Sequence, residues 1–216
     1  VDAANTPPAA PTPKAKDLGA GWARFLSVLF HPLLVPSELG AILITFSPEG
    51  WTSLALRAWV AVVLGTALAP ALTALILARM GWVSAFHLPL RTDRQWPMAV
   101  GAAGMYWAFK QAVRWGQPDV LSLSLLAACV TLVLLYGALL WIKASGHTAG
   151  LAGASVSVAF ASLQWGWTPL PLLGALALLA AVAAARIRIR AHTPQEIAWG
   201  LVFGGLPLCI FLALRP

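Results

Sequence analysis

The chain has 216 residues, 60% of them hydrophobic and only 10% charged, with a formal net charge of +7. A soluble domain carries about 25% charged residues, so an ordinary water-facing surface is excluded, and a mean hydropathy of +0.80 points to lipid around most side chains. The cations fall in short polar gaps between apolar runs rather than in a basic tail or stripe, which argues against nucleic acid as a partner.

Residues 1–20, rich in Ala and Pro with scattered Lys, read as a disordered tail outside the fold. Residues 21–216 read as a single transmembrane domain, opened by an interfacial segment at about 21–30. A spanning helix needs about 20 apolar residues. Seven candidate runs follow, at about 33–47, 54–79, 97–114, 119–142, 147–164, 168–186 and 196–214. The expected fold is therefore an all-α membrane bundle of about six to seven transmembrane helices. Pro70 predicts a kink in the second run. Gly146, Gly150, Gly153, Ala154, Ser157 and Ala161 line one face of the fifth run, and Gly200 and Gly204 form a GxxxG step in the seventh. Small residues at that spacing let backbones approach closely in lipid, which places these two helices centrally. Cys129 and Cys209 sit inside apolar runs and read as inert thiols, with no disulfide or metal pattern.

Parity then orders the polar gaps. Two runs separate the gap at 80–96 from that at 143–147, and two more separate the latter from 186–195, so all three gaps share one face with the N-terminal tail. Trp51, Trp115, Trp165 and Trp167 fall in the alternate gaps and read as an aromatic belt at the opposite face.

Each polar gap has a structural and a chemical reading. Lys143-Ala144-Ser145-Gly146-His147 ends where a helix begins. Ser145 fits an N-cap, and the free N–H groups around Gly146 suit an anion equally well. In the third gap, Arg186, Arg188 and Arg190 precede His192. Arginines this close to a membrane core need an anion or water, and Arg186 and Arg190 share a face if the helix continues. Thr193-Pro194-Gln195-Glu196 fits a capping box, yet Glu196 is also placed to orient His192. The first gap holds His87, Arg91, Asp93 and Arg94 before Pro97 and reads equally as an ordinary cationic loop.

Together the gaps resemble the three motifs of the type 2 phosphatidic acid phosphatase (PAP2) superfamily, K-x6-R-P, P-S-G-H and S-R-x5-H-x3-D. The second motif stands here as Ala144-Ser145-Gly146-His147, and the third as Ala185-Arg186, five residues, His192, three residues, Glu196. The strings at 31–36 (HPLLVP), 145–150 (SGHTAG) and 185–196 (ARIRIRAHTPQE) resemble a branch of small bacterial members. The first motif departs most: its K-x6-R spacing runs from His87 to Arg94, Gln95 follows, and Pro97 is displaced.

The resemblance implies a PAP2-like core and a metal-independent lipid phosphatase that needs no cofactor. His192 is the implied nucleophile, forming a phosphohistidine. His147 is the general acid and Glu196 the residue that holds His192. Arg186, with Arg91 or Arg94, is the implied phosphate ligand, assisted by Ser145 and Gly146, with Lys143, Arg190 and His87 as further candidates. The implied partners are a lipid phosphate and the surrounding membrane lipids. The implied location is a bacterial inner membrane, with the site on its outer, periplasmic face, although the cations on that face would by themselves argue for the cytoplasm. The altered first motif suggests an alternative, a catalytically degenerate phospholipid-binding or lipid-handling protein. A transporter is disfavoured by the lack of an internal repeat.

Overall fold

In the computed structural model, residues 20–83, 92–139 and 141–214 are described. They form eight helices and, among the described residues, no strand: α1 (Gly21–Leu29), α2 (Val35–Thr45), α3 (Ser53–Arg79), α4 (Gln95–Arg114), α5 (Asp119–Ala138), α6 (Gly146–Trp165), α7 (Leu170–Arg188) and α8 (Pro194–Ala213). Four of them, α3, α5, α7 and α8, are long and apolar enough to cross a membrane. Their outer faces suit lipid: α7 buries only Val182 and Ala185, while Leu170, Leu173 and Leu176 stand exposed.

The first expected span differs most from its sequence reading. It is the 11-residue α2, about 16 Å long at 1.5 Å per residue against a hydrocarbon core of about 30 Å. Pro36 at its start and the turn at Phe46 confine it. The expected interfacial segment is α1, which packs on α7.

Two prolines stand inside membrane helices, and each has a local solution. In α3, Val63–Leu68 winds as a π-helix just before Pro70. Proline lacks an N–H and its ring crowds the carbonyl four residues back, and the wider turn absorbs both without ending the helix. In α8, Pro207 leaves the Phe203 carbonyl without its helical donor, and the Thr131 hydroxyl of α5 donates to it at 2.9 Å. Lipid offers no replacement donor, so the neighbouring helix must supply one.

Close packing sits where the small residues are. A Cβ on Gly200 would strike Thr148 and Ser145, and one on Gly204 would strike the backbone of Ala149. Helices α6 and α8 thus meet nearly backbone to backbone, and α6 also contacts α2, α5 and α7. The central position expected for these two helices is the one observed. Gly65 and Gly104 make a second such crossing between α3 and α4.

The two ends of the bundle separate as parity requires. At one end Ile44, Ala55, Ala112, Val120 and Ala161 pack with Trp165 and Trp167. At the other end lie the starts of α4, α6 and α8, the end of α7 and the α1–α2 turn.

Candidate functional site

The second end opens into a cavity of about 910 Å³. Arg94, Lys143, Gly146, His147, Arg186 and His192 line it, so residues of all three polar gaps converge. His87 and Arg91 lie outside the described residues.

Local structure places each group. Helix α7 ends at Arg188, and Arg190 takes a left-handed φ of 54°. A left-handed residue past a helix end turns the chain back over the last carbonyls. Here the N–H groups of Ala191 and His192 both reach the Arg186 carbonyl, at 3.0 and 3.3 Å. That turn returns His192 to the level of Arg186. It also overturns the expectation for Arg190: the helix does not continue, so Arg190 is exposed and does not line the cavity with Arg186.

His192 begins the approach to α8. Thr193 caps that helix in a full capping box with Glu196. The Glu196 Oε2 atom accepts from the Thr193 N–H at 3.1 Å and from His192 Nδ1 at 3.0 Å. The structural and orienting roles of Glu196 therefore coexist on one oxygen. Because a carboxylate only accepts, His192 Nδ1 carries the proton and Nε2 keeps its lone pair. Burial holds the His192 pKa below the usual histidine value, against the raising effect of Glu196. The Lys143 ammonium donates to the Ala191 carbonyl at 3.0 Å and lies 4.0 Å from Glu196 Oε2. The Ser145 N–H donates to the Glu196 carbonyl at 3.0 Å. The second and third gaps are thus joined by hydrogen bonds before any ligand is considered.

Ser145 caps α6, accepting from the Thr148 N–H. It is fully buried and does not line the cavity, so the phosphate contact expected of its hydroxyl is not placed by this structure. His147, two residues on, is buried on the cavity wall. Its Nε2 donates to the Ser27 carbonyl of α1 at 2.9 Å, which among the described residues leaves Nδ1 as the nitrogen without a hydrogen bond.

Arg186 is the electrostatic centre. Its charge reaches His31, His147 and His192, and that of Arg94 reaches it in turn. Its Nε is buried and, among the described residues, has no hydrogen-bond partner. A buried guanidinium nitrogen without a partner is costly and rare. With Arg94, Lys143 and Arg186 all lining one cavity, an anion is a natural partner.

Away from this end the cavity turns apolar, along Gly101, Met105, Leu125, Ala128, Leu132 and Gly153. From His147 to Ser157, the deepest α6 residue on its wall, ten residues of helix rise about 15 Å, about half a bilayer core.

One cavity residue was not among those the motifs singled out. His31, in the turn between α1 and α2, stands edge-on to His147 with ring centroids 5.6 Å apart. The parity argument already places this segment on the site face, and the string His31-Pro32 is conspicuous there. Nothing local, however, pairs it with a histidine 116 positions later. Among the described residues no three His, Cys, Asp or Glu side chains cluster as a metal site. No family model, curated protein or solved structure matches the chain.

Proposed function

We propose that this chain is an integral-membrane lipid phosphatase of the PAP2 type, cleaving a phosphomonoester or diphosphate of a lipid through a phosphohistidine. The observation that carries the reading is the convergence of His147, His192, Arg94 and Arg186 on one cavity whose far end is apolar. The orphaned Arg186 Nε supports an anionic ligand, and the apolar depth supports a hydrocarbon tail. In this reading six helices of 19 to 27 residues, α3 to α8, cross the membrane, and the shorter α2 carries the chain from the His31 turn at the site end to the start of α3 at the other. The membrane is the bacterial inner membrane, and the site faces its periplasmic side.

The geometry supports the following chemistry. His192 Nε2 attacks phosphorus with its lone pair while Glu196 retains the Nδ1 proton. The bond from phosphorus to the leaving oxygen breaks. His147, protonated on Nδ1 beside the bound anion, gives that proton to the departing oxygen. Arg186 and Arg94 offset the charge on the phosphoryl oxygens. Water then attacks the phosphohistidine, His147 takes its proton, the P–N bond breaks, and inorganic phosphate leaves with His192 restored. Ser145 acts by holding the start of α6 rather than by touching phosphate.

The test is phosphate release from a panel of lipid phosphates by purified protein beside His192→Ala. Turnover in the wild type and none in the variant is expected, and robust turnover in the variant overturns the mechanism. A second reading, a phospholipid-binding protein without turnover, is favoured by the missing lysine of the first gap. A trapped phosphohistidine rules it out.

A further inference from the structure

We propose that His31 is a phosphate-binding residue of this site, donating its Nε2–H to a phosphoryl oxygen of the ligand. The inference rests on the lipid-phosphate reading above, but its residue opens the 31–36 string and lies outside the three motifs.

Three observations carry it. The first is the tautomer. The Leu33 N–H, two residues on, points at His31 Nδ1 at 3.3 Å. Nδ1 therefore accepts, and in the neutral ring the proton sits on Nε2. Among the described residues nothing accepts from Nε2, so the His31 turn fixes a donor and leaves it unused.

The second is position. His31 lines the cavity with Arg94, Arg186, His147 and His192. Its ring meets that of His147 at 78°. The same hairpin supplies the Ser27 carbonyl that holds His147 Nε2, so the α1–α2 hairpin sets both rings at once.

The third is charge. Although the residue as a whole is exposed, partial desolvation at the cavity wall and the Arg186 cation hold the His31 pKa below the usual histidine value, which favours the neutral ring. A neutral ring sits beside Arg186 without repelling it, and a bound phosphate accepts from both. The backbone fits the role: the His31 carbonyl accepts from the N–H groups of Leu34 and Val35 at 2.7 and 3.1 Å, anchoring the turn to the start of α2.

Two substitutions separate donation from packing. His31→Gln keeps an N–H near the Nε2 position; His31→Phe keeps the ring edge against His147 and removes the donor. Inorganic phosphate binding to the full chain in detergent is measured by calorimetry, and KM and kcat with the best lipid phosphate of the panel. His31→Phe should weaken phosphate binding and raise KM about tenfold or more, the worth of a hydrogen bond to a charged group, with kcat within a few fold of wild type. His31→Gln should stay within about threefold on both measures. Wild-type affinity in His31→Phe, or equal losses in both variants, overturns the proposal. If His31→Phe weakens binding in a wild type that binds phosphate without turnover, His31 stands and the phosphatase reading falls. Turnover indifferent to His31→Phe sinks His31 alone, and a wild type that binds no phosphate overturns both.

Discussion

The two ends of the helix bundle treat their polar side chains differently. At the tryptophan end two indole N–H groups have partners within the fold, Trp51 Nε1 donating to Thr45 at 3.0 Å and Trp59 Nε1 to the Ser37 carbonyl at 2.9 Å, and the buried orphan among the described residues there is only the neutral Ser122 hydroxyl. The rings pack on one another, Trp51 on Trp59, and Trp167 on both Phe46 and Trp165. At the histidine end the loops are just as firmly tied, through Lys143 to Ala191 and Ser145 to Glu196. Yet among the described residues Arg186 Nε is buried without a hydrogen-bond partner, and His31 lines the cavity. The difference teaches that the second end is rigid without being self-satisfied. Its loops are tied to one another, while a buried guanidinium nitrogen is left without a partner among the described residues.

The largest expected effect tests whether the two ends are separable. His192→Ala should lower phosphate release at least about 10³-fold while leaving the melting temperature in detergent within a few degrees of wild type. A large fall in melting temperature would instead mean that the site end carries the fold. Next comes the seam that both ends share. Gly204→Leu drives a side chain into the Ala149 backbone, where neither partner can yield, and should cost about 3 kcal/mol or more; a soluble, wild-type-like unfolding curve would refute the close crossing of α6 and α8.

Trp167→Ala should cost about 2 kcal/mol, since the ring is half-buried between two aromatic neighbours. Lipid phosphatase KM and kcat should be unchanged, because the site lies at the other end. A shift in either parameter would break the comparison. The smallest effect concerns pH. The folded pKa of His192 lies below its unfolded value, so its contribution to stability is complete above about pH 6.5. That contribution is lost as pH falls from there through the folded pKa. The acid limb of kcat/KM should therefore lie below pH 6.5. Glu196→Gln removes a group that raises the His192 pKa, so the limb should move further down while kcat falls about tenfold. A limb that moves upward would refute the assigned pairing.

Much of the site end is legible in the sequence because its determinants are local. The capping box is written in Thr193 and Glu196, three residues apart, and the pairing of His192 with Glu196 follows from four-residue spacing on one turn. The N-cap role of Ser145 is likewise local. Arg190 marks the limit of local spacing. Whether a helix continues for two more residues depends on how the next segment packs, and here a left-handed turn takes over. The length of α2 shows the same limit, since an apolar run does not say where tertiary packing will bend it.

That the chain is helical and apolar, that its polar gaps fall on one face and that its small residues mark the α6–α8 seam can all be read from the residues alone. These follow from hydropathy, from the even number of helices between gaps, and from residue size. Only the tertiary structure decided what the gaps enclose. It brought His31 beside His147 and turned Arg190 away. It used Ser145 in a cap, matched Thr131 to the carbonyl freed by Pro207, and ran the cavity from the cations into the apolar core. The physical reason is distance along the chain: periodicity and spacing report contacts within a turn or two, whereas a cavity is built by groups that meet only after the helices have packed.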